Sequence, residues 1–361
     1  MNSSVSIDDF IIRAPFVSDE LLRMLQIALI IPINCCVSLT GVITNLFNIV
    51  ILTKLGFRHS MSIGTMALSA TDFFVSSLQL GSEVSYILHY TIGDSWIDFL
   101  ALSQIAIGWT RYAGIYISGW ITAIIALERC FCVVFPFHVK QICTKYVYIL
   151  VLVSIYSVYI SLVIPIYVAE KMVWLPVYSN DYNSSEHPRY VWTVLINEEA
   201  AQLEILFDTV GVSGFALFSQ FSLLFCTAYM TFTLKASSRI RKSCTIPYPD
   251  LKPQASAELN SSKRTSFLTR KEKRLVRVAV WLAVIMLTCN IPRYIVIAIF
   301  STLPGMHAPD NISVAFFMYD VSDVFANVNC LGNFFVYVKL NYKFRTMFNN
   351  FINKRCALIV K

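Results

Sequence analysis

Residues 25–53 read LQIALIIPINCCVSLTGVITNLFNIVILT, a run without a single Asp, Glu, Lys or Arg. As a helix it exceeds the ~20 residues needed to cross the hydrocarbon core of a bilayer. Residues 146–169 and 209–234 are likewise uncharged. Four further stretches are apolar but carry charge inside: 62–90 holds Asp72 and Glu83, 99–135 holds Arg111, 275–300 holds Arg277 and Arg293, and 314–338 holds Asp320 and Asp323. The total is seven, which predicts an all-α membrane protein built as a bundle of seven transmembrane helices. Composition agrees, because 56% hydrophobic residues, 14% charged residues and a mean hydropathy of +0.61 are too apolar for a water-soluble chain of 361 residues.

Orientation follows from the basic residues. Lys54 and Arg58 follow the first stretch, and Arg129, Lys140 and Lys145 lie at or after the third. Twelve more lie from Lys235 to Arg277 and six from Lys339 onward, so 23 of the 29 Lys and Arg share one side. The positive-inside rule makes that side cytoplasmic and leaves the N-terminus outside, as in a multi-pass protein of the plasma membrane. The sequons at Asn2, Asn183 and Asn311 fall on the outer side and are expected to carry glycans, whereas Asn260 falls inside and should stay bare. The first 24 residues are polar and acidic, so no cleavable leader is expected and the first stretch would insert as its own anchor. All ten cysteines lie within the stretches or on the reducing side, so no disulfide is expected.

Three regions result: an outer segment over 1–24, the helix bundle over 25–340, and a tail over 341–361. Within the bundle, 235–274 forms a long third inner loop with Pro247, Pro249 and Pro253 among many hydroxyls and bases, the composition of a disordered docking segment. In the tail, Tyr342, Phe344, Met347, Phe348 and Phe351 recur at helical spacing beside Lys343 and Arg345. That pattern predicts a short amphipathic eighth helix on the inner membrane face, with Cys356 behind it as a palmitoylation site. No internal repeat is visible, which weighs against a transporter.

Several short motifs fall in order on these stretches. They are Asn45 in Thr44-Asn45-Leu46, Asp72 in Leu68-Ser-Ala-Thr-Asp72, Glu128-Arg129-Cys130 with Pro136 seven residues after the arginine, Tyr229, Cys289-Asn290-Ile291-Pro292, Asn333 with Tyr337, and Phe344. Together they resemble the rhodopsin-like (class A) family of G-protein-coupled receptors, over about 41–348. There are departures. Gln104 stands where the family has a cysteine bridged to the second outer loop, Asn290 where it has tryptophan, Phe334 where it has the proline of the seventh helix, and Phe221 where it has that of the fifth. The run from Glu128 to Pro136 is similar to invertebrate sets of orphan chemosensory and peptide receptors.

The resemblance implies a receptor, not an enzyme, that binds an extracellular ligand and activates a heterotrimeric G protein. It implies an activation switch at Glu128, Arg129, Tyr229, Glu272, Asn290, Pro292, Asn333 and Tyr337, with Arg129 paired to Glu128 and Glu272 at rest. The alternative, weaker reading makes Glu272 one solvated charge in the run Arg270-Lys-Glu-Lys-Arg274. Asp72, Ser118, Asn329 and Asn333 fall where the family builds a sodium and water site, a hard-oxygen set suited to that cation; the alternative is a neutral Asp72 bonded to the same groups. No other cofactor is required. Arg111 lies eighteen residues before Arg129, in the outer half of the bundle. An arginine there argues against amine ligands, and Asn327 argues against a retinal-binding photoreceptor. With Tyr112 beside it, Arg111 would border a ligand pocket together with Glu83, Tyr86, Arg293, Tyr294, Tyr319, Asp320 and Asp323. Arg111 could also serve as a structural partner of Asp323 or Glu83, since buried charges need partners with or without a ligand.

Fourteen acids against four bases on the outer side make a field that attracts cations. A basic or amidated neuropeptide fits that field somewhat better than an anionic metabolite held by Arg111 and Arg293, although acids outside also simply complement bases inside. The tail after Thr346 has no hydroxyl, while the third loop has ten, so arrestin and receptor kinases are expected to act through the loop. Those hydroxyls are also ordinary composition for a linker. The competing functional class is a channel or transporter with charges lining a permeation path. Five histidines without metal or triad spacing leave no enzyme signature, and nothing points to nucleic acid.

Overall fold

The computed structural model describes residues 17–57, 60–92, 95–135, 143–177, 189–195, 197–243, 270–302 and 312–359. The first helix, α1, spans Asp19–Leu55 and is opened by Ser18, whose side chain caps the first turn. It passes through a π-helical turn at Gln26–Ile30, directly ahead of Pro32. A proline lacks the N–H and crowds the carbonyl four residues back, and the wider turn accommodates both defects. Next come α2 (Ser60–Ile92), α3 (Phe99–Val134, with a π turn at Gln104–Gly108) and α4 (Lys145–Ala169). Strands β1 (Lys171–Val177) and β2 (Arg189–Leu195) pair antiparallel, Lys171 opposite Leu195. The fifth helix, α5, runs through Glu198–Leu206, a π-helical stretch at Phe207–Ala216, and Leu217–Ser243. Helices α6 (Arg270–Thr302), α7 (Ile312–Leu340) and α8 (Tyr342–Ile359) complete the described chain.

Helices α1, α3, α4, α5 and α6 are long and apolar enough to cross a membrane. The other two members of the bundle, α2 and α7, are more polar because they carry its inward-facing groups. Asp72, Ser76, Gln79 and Glu83 are buried on α2, and Ser322, Asp323, Asn327 and Asn333 on α7. Helix α3 is central and packs against α2, α4, α5 and α6. In its most apolar window 61% of residues are buried, against 22% in α4, which is hydrophobic on every side and meets lipid over most of its surface. Phe218, Phe221, Phe225 and Phe232 are likewise exposed along α5, where the proline substituted by Phe221 would have stood. In a bilayer such faces are ordinary, since lipid is as apolar as they are.

Small residues set the closest approaches. A Cβ on Gly41 of α1 would lie 2.6 Å from Ser76 Oγ, and one on Gly114 of α3 would lie 2.5 Å from Val75 Cγ2. A Cβ on Gly64 would collide with the Tyr148 hydroxyl.

Three features exceed the sequence expectation. The outer β-hairpin has no counterpart in an all-α reading. The eighth helix continues to Ile359, beyond the aromatic pattern that ends at Phe351. The fifth helix begins at Glu198, before the charge-free run that opens at 209. Asn197 caps that start, its Oδ1 accepting from Ala200 N at 2.7 Å, and the acidic first turn of Glu198 and Glu199 suits the positive end of a helix.

The α7–α8 corner explains a departure. Phe334, in place of proline, lets α7 run unbroken and packs edge-on against Phe348 and Phe344, with centroids 5.3 and 6.2 Å away. Phe47 of α1 adds contacts to Phe348 and Phe351 at 5.9 and 6.0 Å. The apolar face of α8 is thereby seated on the bundle.

Candidate functional site

The outer half of the bundle is organised around Asp323. Its side chain is 2% exposed, and each oxygen faces an arginine from another helix. Oδ2 lies 2.7 Å from Arg111 Nη2 of α3 and Oδ1 lies 2.8 Å from Arg293 Nη1 of α6. One carboxylate therefore ties three helices together. Both guanidiniums stack on Tyr112, 4.3 and 4.5 Å from its centroid, and Arg293 also lies 5.0 Å from the centre of Tyr319. Arg111 Nη1 donates to Gln79 Oε1 at 2.6 Å, and Gln79 Nε2 donates to Glu83 Oε1 at 2.6 Å. The spacing of Gln79 and Glu83 places them on one face of α2, four residues apart. Asp320 accepts from Gln26 Nε2 at 2.8 Å and from the Tyr86 hydroxyl at 3.2 Å. Tyr294 is half-buried on α6.

Between these groups lies a cavity of about 60 Å³, bordered by Gln79, Ser82, Tyr86, Arg111, Tyr112, Asp320 and Asp323. A larger cleft of about 410 Å³ opens among α2, α3 and α4. Its rim includes Phe74, Ile160 and Ile164, all exposed, so it faces lipid and not the charged centre.

The hairpin is held to the top of α3 without a covalent bond. Trp192 N donates to Trp96 O at 2.8 Å and Asp98 N donates to Trp192 O at 3.0 Å. Asp98 Oδ1 caps α3 by accepting from Leu100 N and Ala101 N at 3.1 Å, while its Oδ2 accepts from Thr193 Oγ1 at 2.8 Å. Trp96 stacks on Trp174 at 5.7 Å, and Arg189 donates to the Ser95 carbonyl. These contacts occupy the region where Gln104 replaces the family's bridging cysteine. None of the eight described cysteines forms a disulfide. Below the hairpin, Trp109 Nε1 donates to Glu170 Oε1 at 2.8 Å, and burial pushes the Glu170 carboxyl above the usual carboxylate range.

The middle of the bundle holds a second cluster. Asp72 is fully buried, its Oδ1 accepting from Ser118 Oγ at 2.7 Å and its Oδ2 from Asn333 Nδ2 at 2.5 Å. Asn45 Nδ2 donates to the Cys330 carbonyl at 3.0 Å, and Asn48 Nδ2 donates to Asn45 Oδ1 at 3.1 Å, which fastens α1 to α7. The Cys330 thiol bonds both Asp72 and Ser76. Asn329 is buried but makes no side-chain hydrogen bond among the described residues. A carboxylate with neighbouring hydroxyl and amide oxygens matches sodium in ligand type.

At the inner end, Arg129 Nη2 lies 2.5 Å from Glu128 Oε1, which also accepts from Ser60 Oγ at the start of α2. The Arg129 Nε and Glu128 Oε2 atoms are buried without hydrogen-bond partners. Arg274 of α6 donates to the Leu340 carbonyl at the end of α7. Asn290 and Tyr337 are buried, Pro292 lies inside α6, and Tyr229 is exposed on α5. The side chains of Glu272 and Cys356 lie outside the described set, as do residues Asn2, Asn183, Asn311 and the third inner loop from 244 to 269.

Gln26, Gln79 and Ser60 did not stand out in the sequence, while Asp98 and Glu170 stood out only as outer acids and Arg274 only as the end of a charged run. Of the first three, Gln79 carried a usable signal in its helical spacing to Glu83; the others act through partners distant in the chain.

A family model described as 7 transmembrane receptor (rhodopsin family) matches residues 45–337, from the Asn45 that ties α1 to α7 through to Tyr337 near the end of α7. Among curated proteins no sequence matches the chain. With four-fifths of its length inside the match, the chain belongs to the rhodopsin family of seven-transmembrane receptors.

Proposed function

We propose that the cavity around Asp323 is the ligand site and that its occupation switches the inner face of the bundle toward a heterotrimeric G protein. The observation that carries this reading is the Arg111–Asp323–Arg293 bridge, because it joins α3, α6 and α7 near the outer end. The same three helices carry Arg129, Glu272 and the Asn333 to Tyr337 segment toward the inner end. A ligand whose charge is seated beside this bridge, on α7, has a different affinity for the two arrangements of the helices, which is what a population shift requires. The ligand is a neuropeptide or a chemosensory cue arriving at the plasma membrane, and the outer sequons at Asn2, Asn183 and Asn311 carry glycans.

At rest Arg129 is paired with Glu128, and we assign Glu272 as its second partner across the helix interface. Asp72, Ser118, Asn329 and Asn333 would hold sodium, which would supply positive charge against the buried carboxylate. Kinases and arrestin act on the loop over 235–274, and Cys356 takes a palmitoyl chain that holds α8 to the inner leaflet.

Nucleotide exchange on purified G proteins, measured with the receptor in nanodiscs, tests the reading. Glu272→Ala should raise ligand-independent exchange severalfold at equal receptor level, since it weakens only the resting state. Unchanged basal exchange removes the clasp, and a ligand-independent ion current in liposomes removes the receptor function itself. Replacing the ten loop hydroxyls by Ala should abolish arrestin recruitment in cells, whereas deletion beyond Arg355 should leave it intact. Recruitment lost only on the deletion reverses the assignment.

A further inference from the structure

We infer that the outer cavity receives a cationic group of the ligand, an ammonium or guanidinium, seated at Asp320 beside Glu83. This rests on that cavity being the ligand site. The argument is one of charge accounting. Arg111 and Arg293 both make their ion pairs with Asp323 and both stack on Tyr112. An anion bound at the arginines would displace Asp323 and leave a carboxylate buried without a partner, which costs more than the new pair returns.

The two remaining acids are in the opposite condition. Asp320 borders the cavity and accepts only from neutral groups, the Gln26 amide and the Tyr86 hydroxyl. Glu83 is 2% exposed; Gln79 donates to one oxygen, and the other, Oε2, has no hydrogen-bond partner. Among the described residues no Lys or Arg lies within ion-pair distance of either carboxylate. Three acids therefore face two bases in the cluster, and of the two without an ion pair Asp320 borders the cavity whereas Glu83 does not. Arg111 acts on both only at longer range, and a buried carboxylate without a direct ion pair is costly unless something completes it.

Size and surroundings agree. A cavity of about 60 Å³ has room for a small polar head group. Tyr86 on its border adds an aromatic ring, a group that attracts cations, whereas Tyr112 is already engaged by both guanidiniums. The body of the ligand then stays on the outer side, where the sequence carries fourteen acids against four bases, a field that attracts cations.

The test uses the full chain in nanodiscs, with agmatine, argininamide and cadaverine as cationic probes and succinate and N-acetylglutamate as anionic ones. Thermal unfolding and direct calorimetric binding are read together. The cations should stabilise the wild-type protein and the anions should not. Asp320→Asn should weaken cation binding about tenfold or more, the loss of one charge-assisted bond, with Glu83→Gln weakening it less. Both substitutions keep size and one acceptor oxygen, and Glu83→Gln carries the test should Asp320→Asn fail to fold. The proposal is overturned by stabilisation with anions that Arg111→Gln removes, by cation affinity that both substitutions leave unchanged, or by the absence of stabilisation by every cationic probe. None of these readouts needs a G protein. Cation binding without nucleotide exchange would count against the receptor switch alone and leave this assignment standing.

Discussion

Asp323 and Asp72 are both buried carboxylates inside one bundle, and they are satisfied in opposite ways. Asp323 is held by two arginines from two other helices, whereas Asp72 is held by a hydroxyl and an amide, with no base within ion-pair distance among the described residues. An acid matched by charges is sensitive to any competing ion, because each partner it loses becomes an unpaired charge in a low dielectric. An acid matched by neutral donors tolerates the loss of its own charge, since the donors find acceptors either way. The outer cluster is thus sensitive to competing charge, and the middle cluster far less so.

The contrast can be broken most severely at Asp323. Asp323→Ala leaves Arg111 and Arg293 buried without their shared counter-ion and should cost about 3–5 kcal/mol, seen as a large fall in the thermal unfolding midpoint. Replacing Asp323, Arg111 and Arg293 together by Met should recover most of that stability while ligand binding stays lost. A single Asp323→Ala variant as stable as the wild type would show that the bridge does not hold the helices.

The hairpin offers an intermediate case, a polar contact at the water interface. Asp98→Ala removes the cap of α3 and the tie to Thr193, and should cost ~1–2 kcal/mol. Amide exchange should quicken in residues 171–195 and leave α2 and α7 unchanged. Exchange quickened across the whole bundle would instead give Asp98 a global role.

The smallest effect is expected at Asp72. Asp72→Asn should change stability by under about 1 kcal/mol, because Asn keeps an acceptor for Ser118 or Asn333. What should disappear is the dependence of the unfolding midpoint on sodium against a choline control. A sodium effect that survives the substitution takes the ion away from this site.

Much of the bundle was readable in the chain itself. The uncharged runs at 25–53, 146–169 and 209–234 each lie within one long helix, α1, α4 and α5, since hydrophobic length alone decides what crosses a bilayer. The site was readable in part. Arg111, Arg293, Asp320 and Asp323 stood out as charges in apolar stretches, but their partners did not. Arg111 could be paired on paper with Asp323 or with Glu83, and helix packing gives it Asp323 while Gln79 stands between Arg111 and Glu83. Phe334 read as a missing proline and proves to be part of the aromatic seat of α8. The hairpin was invisible because its register depends on cross-strand and loop-to-helix bonds, such as those between Trp192, Trp96 and Asp98.

The amino-acid sequence by itself determined that this chain lives in a membrane, how many times it crosses and which family it resembles, because transfer free energies act locally along the chain. Only the tertiary structure decided which acid neutralises which base, which carboxylates remain without a counter-charge, and what holds the outer loop over α3. Those outcomes depend on distances between residues such as Gln26 and Asp320, nearly three hundred positions apart, which no local pattern encodes.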